Sequence, residues 1–132
     1  MRTDGLISLI LLDDHETARA ALAARLAKTG RVDLVGETAD PCEALRIIAE
    51  KRPHAALVDP RRQDGHGFAA LAIICGAAVD GYPVVAVHTS YYDAEEWLRA
   101  RDAGARDWLL KQLDVESLIT RVAALLNRDR LT

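Results

Sequence analysis

Residues 55–58 (AALV) form an uninterrupted apolar run that ends abruptly at a carboxylate, Asp59. A short continuous apolar run is typical of a strand that is buried on both faces, as strands of parallel sheets are. Open α/β sheets bind their ligands outside the carboxyl ends of such strands. The sequence therefore predicts a buried strand over 55–58 and makes Asp59 a candidate functional residue at its end.

The alternation of a short apolar run with a helix-forming stretch occurs five times along the chain. Further strands are predicted over 6–12, 32–36, 83–88 and 108–110. Helices are predicted over 16–28, from 41 to about 51, over 68–74, from 94 to about 102 and after Asp114, with Asp40 and Asp93 capping the second and fourth. Five βα units predict an α/β fold in which helices cover both faces of a parallel sheet.

Polar residues stand where four of the predicted strands end. In the strand order 2-1-3-4-5, which is typical of such chains, the winding reverses between strands one and three. Asp13 and Asp14 follow the first strand, so they converge with Asp59 at this crevice. Thr89 and Lys111 follow the fourth and fifth strands and reach the same rim.

Length and charge narrow the function classes. With 132 residues, 50% of them hydrophobic, the chain is long enough for one domain with a core, so residues 1–132 are expected to form a single domain. A net charge of -3 argues against a nucleic-acid surface, which needs a concentrated basic face. The apolar run over 6–12 is too short to span a membrane, and the two cysteines make neither a metal-ligand spacing nor a secreted disulfide framework. We therefore expect a cytoplasmic protein with no direct contact to nucleic acid or membrane.

Three carboxylates held close together raise one another's pKa unless a cation compensates them. Their oxygen atoms favour a hard ion, and Mg²⁺ holds one or two carboxylates together with a substrate phosphate. Phosphoryl transfer requires mainly positioning and charge neutralisation. A nucleophilic carboxylate (Asp59), Mg²⁺, an ammonium (Lys111) and a hydroxyl (Thr89) make a sufficient set for that chemistry.

The motifs at 12–16 (LDDHE), 58–59 (VD), 87–90 (VHTS) and 104–111 (GARDWLLK) together resemble the receiver domain of two-component response regulators. They are most similar to receivers that precede helix-turn-helix output domains, although this chain stops after the fifth helix. The resemblance covers nearly the whole chain and implies a flavodoxin-like, doubly wound fold. It also implies a single-domain response regulator that accepts a phosphoryl group from a sensor histidine kinase or a phosphotransfer protein. Such a protein is not an enzyme, although it assists its own phosphoryl transfer and dephosphorylation.

The same resemblance implies a role for each site residue. Phosphorylation is expected to switch the face formed by the fourth helix, fifth strand and fifth helix, which controls protein partners and can also support a homodimer. Arg61 and Tyr91 are expected to flank the route of the attacking water and to slow hydrolysis. Asp59 is implied to be the phosphoacceptor. Mg²⁺ is implied to be held by Asp13 and Asp14, with Asp59 and the Arg61 backbone carbonyl as further ligands. The remaining implied roles are the switch hydroxyl Thr89, the phosphate-binding Lys111 and the switch aromatic Trp108.

The loop after Asp59 departs from the family pattern, with Gln63-Asp64 where Pro-Gly is usual and His66 where Asp is common. This departure keeps open an alternative, a receiver-like interaction domain that works without phosphorylation. A Mg²⁺-dependent phosphohydrolase is less favoured because no general acid stands beside Asp59. We interpret His15 and His66 as exposed loop residues, and His88 as a strand residue with a local hydrogen bond.

Overall fold

Five parallel strands form one sheet in the order β2-β1-β3-β4-β5. In this computed structural model the backbone is described for residues 5–131 and side chains for residues 5–127. The predicted flavodoxin-like fold with strand order 2-1-3-4-5 and five helices is confirmed. Along the chain the elements are β1 (Ile7–Leu12), α1 (Glu16–Lys28), β2 (Val32–Thr38), α2 (Pro41–Lys51), β3 (Ala55–Val58), α3 (Gly67–Gly76), β4 (Val84–Thr89), α4 (Ala94–Ala103), β5 (Asp107–Leu110) and α5 (Val115–Leu131).

Alternate residues of the central strands fill two separate cores. On β1, Leu9 and Leu11 join the core that α1 and α5 cover, whereas Ile10 and Leu12 join the core that α2, α3 and α4 cover. Successive side chains of a strand point to opposite faces, and here both faces are buried. This is why the strands are continuous apolar runs rather than alternating ones.

The helix caps agree with the predicted ones, and the largest difference at a strand end is in β2. The Asp40 and Asp93 carboxylates accept hydrogen bonds from backbone N–H groups in the first turns of α2 and α4, as predicted. β2 continues two residues beyond its predicted end at 36, and a register shift between Leu9 and Ile10 accounts for one of the two by bringing the residue after Glu37 opposite the end of β1. Hydrophobic pattern alone does not reveal such a bulge.

Gly67, the first residue of α3, allows the loop over 60–66 to fold back closely on itself. A Cβ at Gly67 would lie 1.4 Å from the carbonyl oxygen of Pro60 and 2.8 Å from its Cα. These are backbone atoms, so they cannot yield as the end of a flexible side chain can. Glycine at position 67 therefore allows Pro60, the residue next to Asp59, to lie directly against the start of α3.

We predict that Gly67→Ala destabilises the protein by about 1–3 kcal/mol, the usual range for overpacking. Urea unfolding followed by circular dichroism measures the free energy of unfolding. The matched control is Gly76→Ala at the other end of α3, where an added Cβ meets nothing within 4 Å. Gly76→Ala should be neutral or stabilising by up to about 1 kcal/mol. Equal unfolding free energies for the two variants would contradict the close approach at Gly67.

Candidate functional site

Backbone hydrogen bonds fix the strand ends at one edge of the sheet. The Asp59 N–H donates to the Leu12 carbonyl at 3.0 Å, and the Lys111 N–H donates to the Thr89 carbonyl at 2.8 Å. Parallel strands end at a common edge, so the side chains that follow them meet there. This edge carries all the strand-end residues that the sequence singled out, namely Asp13, Asp14, Asp59, Thr89 and Lys111.

The Lys111 ammonium bridges two carboxylates. Its Nζ lies 2.7 Å from Asp13 Oδ2 and 2.8 Å from Asp59 Oδ2. The Asp59 side chain is only 2% exposed and that of Asp13 only 9%, so both carboxylates have given up most of their hydration. Buried carboxylates are costly unless they are paired, and here one ammonium serves both.

This pairing decides the protonation of Asp13 and Lys111. Burial alone would raise the pKa of the Asp13 carboxyl, but hydrogen bonds from Lys111 and from the His15 backbone and ring outweigh burial and hold that pKa below its usual range. Burial likewise acts to lower the pKa of Lys111, but hydrogen bonds to Asp13 and Asp59 outweigh it and raise that pKa. Asp13 and Lys111 are therefore both charged at neutral pH.

His15 lies closer to the acids than the sequence indicated. Its ring Nδ1 is 2.7 Å from Asp13 Oδ1, 3.4 Å from Asp59 Oδ2 and 3.5 Å from Asp14 Oδ1. The interpretation as an exposed loop residue is correct, since the side chain is 46% exposed, but the sequence did not indicate that the ring also contacts the acids. The Asp13 carboxylate accepts the His15 backbone N–H at 2.9 Å, and this local turn directs the ring towards the acids. A histidine directly after two acids was the signal available in the sequence.

The donor set fits a divalent cation. Asp13, Asp14 and His15 each offer a ligand atom, and these atoms lie within 4.8 Å of one another. One ammonium contacts Asp13 and Asp59, and Asp14 lies beside them near the His15 ring, so the carboxylates outnumber the ammonium that faces them. Hard oxygen donors with a residual negative charge are what Mg²⁺ requires.

Thr89 presents a buried hydroxyl at the end of β4. The residue is 0% exposed, and among the described residues its Oγ1 has no hydrogen-bond partner. Buried polar groups are nearly always paired, and an exception next to an acidic site requires a reason. A ligand oxygen at this edge of the sheet would satisfy the Thr89 hydroxyl.

The unusual loop over 60–66 forms an ordered turn that contacts the acids. The Arg62 N–H donates to the Pro60 carbonyl at 3.0 Å, and the Gly65 N–H donates to the Arg62 carbonyl at 3.2 Å. The Gln63 N–H donates to Asp14 Oδ2 at 3.0 Å. Proline has no N–H, so the family's usual residue at position 63 could not make this bond. The departure from the pattern therefore adds a support for Asp14.

Arg61 connects this loop to α4. Its backbone N–H donates to Asp59 Oδ1 at 2.9 Å, while its Nη1 lies 2.7 Å from Glu96 Oε1 on α4. The guanidinium also lies over the Tyr91 ring, 3.5 Å from the centroid, and donates to the Tyr91 carbonyl at 3.2 Å. Arg61 and Tyr91 are thus in contact, and their expected role beside the route of the attacking water stays a prediction. Glu96 was missed, because its place three residues after Asp93 is explained by helix capping.

Trp108 is already buried in this structure, at 8% exposure. Its Nε1 donates to the Tyr91 carbonyl at 3.3 Å, and its ring packs edge-on against Tyr92 and Trp97 at centroid distances of 5.7 and 6.3 Å. Its role as the switch aromatic stays a prediction. Any rotation would begin from a packed ring rather than from an exposed one.

Comparisons with known proteins agree with this geometry. The family described as the response regulator receiver domain matches residues 9–123. The chain belongs to this receiver family. It is 34% identical to the transcriptional regulatory protein LiaR of Bacillus subtilis over 106 residues, which cover 80% of this chain and 49% of LiaR. It is 31% identical over 110 residues to the DNA-binding transcriptional activator DevR/DosR of Mycobacterium tuberculosis, covering 82% of this chain and 49% of that protein.

Solved structures give the same result for the fold. A LuxR-family two-component response regulator from Aurantimonas matches with a TM-score of 0.78 and 25% identity, over 92% of this chain and 86% of that one. The receiver spans about half the length of the curated relatives it matches. Within the described residues, no helix has the length and apolarity needed to cross a membrane.

His88 stands beside Thr89 on β4 and is 7% exposed. Burial, and secondarily the positive charge of Lys111, lower the pKa of His88 to about 4. A buried imidazole with this pKa is neutral at physiological pH. His88 therefore lies near the acidic site without adding positive charge to it.

We predict that His88 makes the receiver less stable as the pH falls from 6.5 towards 4. In this window the unfolded chain protonates the imidazole and the folded protein does not, so the free energy of unfolding falls with falling pH, by about 3 kcal/mol over the whole window. This contribution is fully present above pH 6.5. Urea unfolding at several pH values should show a shallower pH dependence in His88→Leu than in the wild type. The exposed-loop control His66→Leu should keep the wild-type slope, and identical slopes in all three proteins would contradict the prediction.

Proposed function

We propose that this receiver accepts a phosphoryl group on Asp59 from a sensor histidine kinase or a phosphotransfer protein. The observation that carries the proposal is the Lys111 ammonium, which lies between Asp13 and Asp59 at hydrogen-bond distance from both. Asp59 is the acid at the end of the central strand β3, and Thr89 ends the neighbouring strand β4 with a hydroxyl that has no partner in the part of the chain that the structure describes. A nucleophilic carboxylate, an ammonium and a hydroxyl donor are what phosphoryl transfer to Asp59 requires.

Each residue has a defined task in the proposed transfer. A carboxylate oxygen of Asp59 attacks phosphorus, and the bond from phosphorus to the donor's leaving atom breaks in line, the leaving atom keeping the electron pair. Lys111 neutralises charge on a phosphoryl oxygen, and the Thr89 hydroxyl donates a hydrogen bond to another. The receiver thereby assists its own phosphorylation and is not otherwise an enzyme.

Mg²⁺ is the proposed cofactor. Asp13, Asp14, Asp59 and the backbone carbonyl of Arg61 would hold it, and when bound it supplies charge neutralisation for the phosphoryl group. The hydrogen bond from Gln63 supports Asp14 in that role. The His15 ring, which lies among the three acids, has room to move because it is partly exposed.

The proposed output is a change in the face formed by α4, β5 and α5, through which the receiver would control protein partners or form a homodimer. Thr89 pairs with Leu110 in the β4–β5 ladder, and Trp108 pairs with Val87 two positions earlier. A displacement of Thr89 towards a phosphoryl group would therefore act close to the Trp108 ring. The single-domain organisation, the cytoplasmic location and the absence of contact with nucleic acid remain predictions.

We predict that acetyl phosphate with Mg²⁺ adds one phosphoryl mass to the wild type and none to Asp59→Asn. Intact-protein mass spectrometry measures the label, and chelation of Mg²⁺ should prevent it. Asp64→Asn is the matched control, because Asp64 lies in the neighbouring loop with an exposed side chain and should not affect labelling. Equal labelling of Asp59→Asn would refute the assignment. A folded wild type that takes no label would favour the interaction domain that works without phosphorylation.

We predict that Arg61→Ala and Tyr91→Ala shorten the lifetime of the phosphorylated state several-fold. The bulk of these two side chains, which contact each other beside the acceptor loop, obstructs the in-line approach of water to phosphorus whether or not they stay stacked. Loss of label over time after removal of the donor gives the rate. Tyr92→Ala is the control, because Tyr92 has similar exposure but packs on Trp108. Dephosphorylation at the wild-type rate in both variants would remove Arg61 and Tyr91 from this role.

A further inference from the structure

We infer that Glu96 is a positioning residue for the phosphoryl site: it holds the Arg61 guanidinium on α4 until the phosphoryl oxygens on Asp59 compete for it. The inference rests on the proposed phosphorylation of Asp59. It concerns what opposes that reaction and how α4 is coupled to it. We call the contact between the two side chains the Arg61–Glu96 pair.

The backbone of Arg61 contacts Asp59, whereas its guanidinium contacts α4. Its backbone N–H donates to Asp59 Oδ1 at 2.9 Å, so the main chain is fixed at the acceptor carboxylate. Its guanidinium lies 2.7 Å from Glu96 Oε1 and over the Tyr91 ring. Glu96 is the third residue of α4, and Asp93 caps the helix by accepting its N–H. One arginine thus ties the acceptor loop to the first turn of α4.

The Arg61–Glu96 pair is incompletely satisfied. The side chains are only 18% and 28% exposed, yet within the described part of the chain Arg61 Nε has no hydrogen-bond partner. Glu96 Oε1 lies 2.7 Å from Nη1 but outside hydrogen-bond geometry, so charge rather than alignment holds the contact. Buried ion pairs stabilise a protein only when their geometry and remaining hydrogen bonds are good. A poorly aligned pair is weaker than a well-aligned one, so a better acceptor can compete with Glu96 for the guanidinium.

A phosphoryl group on Asp59 is such an acceptor. It brings additional negative charge and several acceptor oxygens to a carboxylate that already accepts the Arg61 N–H. Guanidinium groups bind phosphoryl oxygens with two parallel hydrogen bonds, which would also satisfy Arg61 Nε. One guanidinium cannot bind Glu96 and the phosphoryl group fully at the same time. The contact with Glu96 therefore lowers the affinity of the site for the phosphoryl group, and the phosphoryl group weakens the contact with Glu96 by the same free energy.

The exchange would free the first turn of α4. Arg61 Nη2 and Trp108 Nε1 both donate to the Tyr91 carbonyl, so departure of Arg61 leaves this carbonyl to Trp108. Glu96 would lose its cation, and the Tyr91 ring would lose the group stacked on it. Loss of the Arg61–Glu96 pair is therefore the step by which phosphorylation would loosen the first turn of α4.

The test is the affinity for beryllofluoride, an analogue of the phosphoryl group, measured by calorimetric titration with Mg²⁺. Glu96→Gln should bind it about tenfold more tightly than the wild type, a factor within the usual range of coupling between sites. Glu95→Gln removes the same charge from the same helical turn and is the matched control, because Glu95 is exposed. In an Arg61→Met background, Glu96→Gln should have no effect beyond that of Glu95→Gln. A purely structural role of Glu96 would not depend on Arg61.

Hydrogen exchange of the backbone N–H groups at 94–98, with and without the ligand, gives a second measurement. Glu96→Gln without ligand should exchange faster than the wild type, Glu95→Gln should match the wild type, and beryllofluoride should accelerate exchange in the wild type. Equal affinities or equal exchange in wild type and Glu96→Gln would overturn the inference alone. A wild type that does not bind beryllofluoride with Mg²⁺ would overturn the proposed function, and the inference with it.

Discussion

One ammonium holds together two buried carboxylates that come from different strands. Asp13 follows β1, Asp59 follows β3, and Lys111 follows β5, so the pairing joins chain segments that are far apart in sequence at a single edge of the sheet. Burial of carboxylates is costly unless a cation pairs with them, and Lys111 supplies that cation to both. The strand order makes this possible, because it brings the ends of all three strands to the same crevice. The fold and the charge cluster therefore depend on each other.

Much of this arrangement could be predicted from the sequence, because the relevant signals are periodic or lie at strand ends. Continuous apolar runs indicated strands buried on both faces, and the acids that end them indicated where side chains converge. Two contacts were not predictable in this way. Glu96 occupies a capping position that already explains its presence, and the direction of the His15 ring depends on a local turn. Both contacts depend on side-chain direction across loops, which hydrophobic pattern does not encode.

The loop over 60–66 shows how a departure from a family pattern can be accommodated. Gln63 in place of proline gives up a rigid turn residue and gains an N–H that donates to Asp14. Arg62 adds a second tie, since its guanidinium donates to the Ala39 carbonyl beyond β2 at 2.6 Å. Gly67 keeps the close approach that closes the loop. These contacts support the acids in place, so the altered loop by itself is a weak argument against phosphorylation.

The groups with incomplete hydrogen bonding indicate what would drive a switch. Thr89 Oγ1, Arg61 Nε and Glu96 Oε1 are the buried side-chain atoms without hydrogen-bond partners among the described residues, and all three belong to segments that surround the end of β3 or contact the loop after it. Such groups are rare in folded proteins and costly when they occur. Two of the three can donate, and a phosphoryl group on Asp59 supplies acceptors that the free carboxylate lacks. A ligand shifts a conformational equilibrium only through contacts that differ between the two states. The unsatisfied donors of Thr89 and Arg61 provide that difference, and the contact with Glu96 is the one that Arg61 would have to leave.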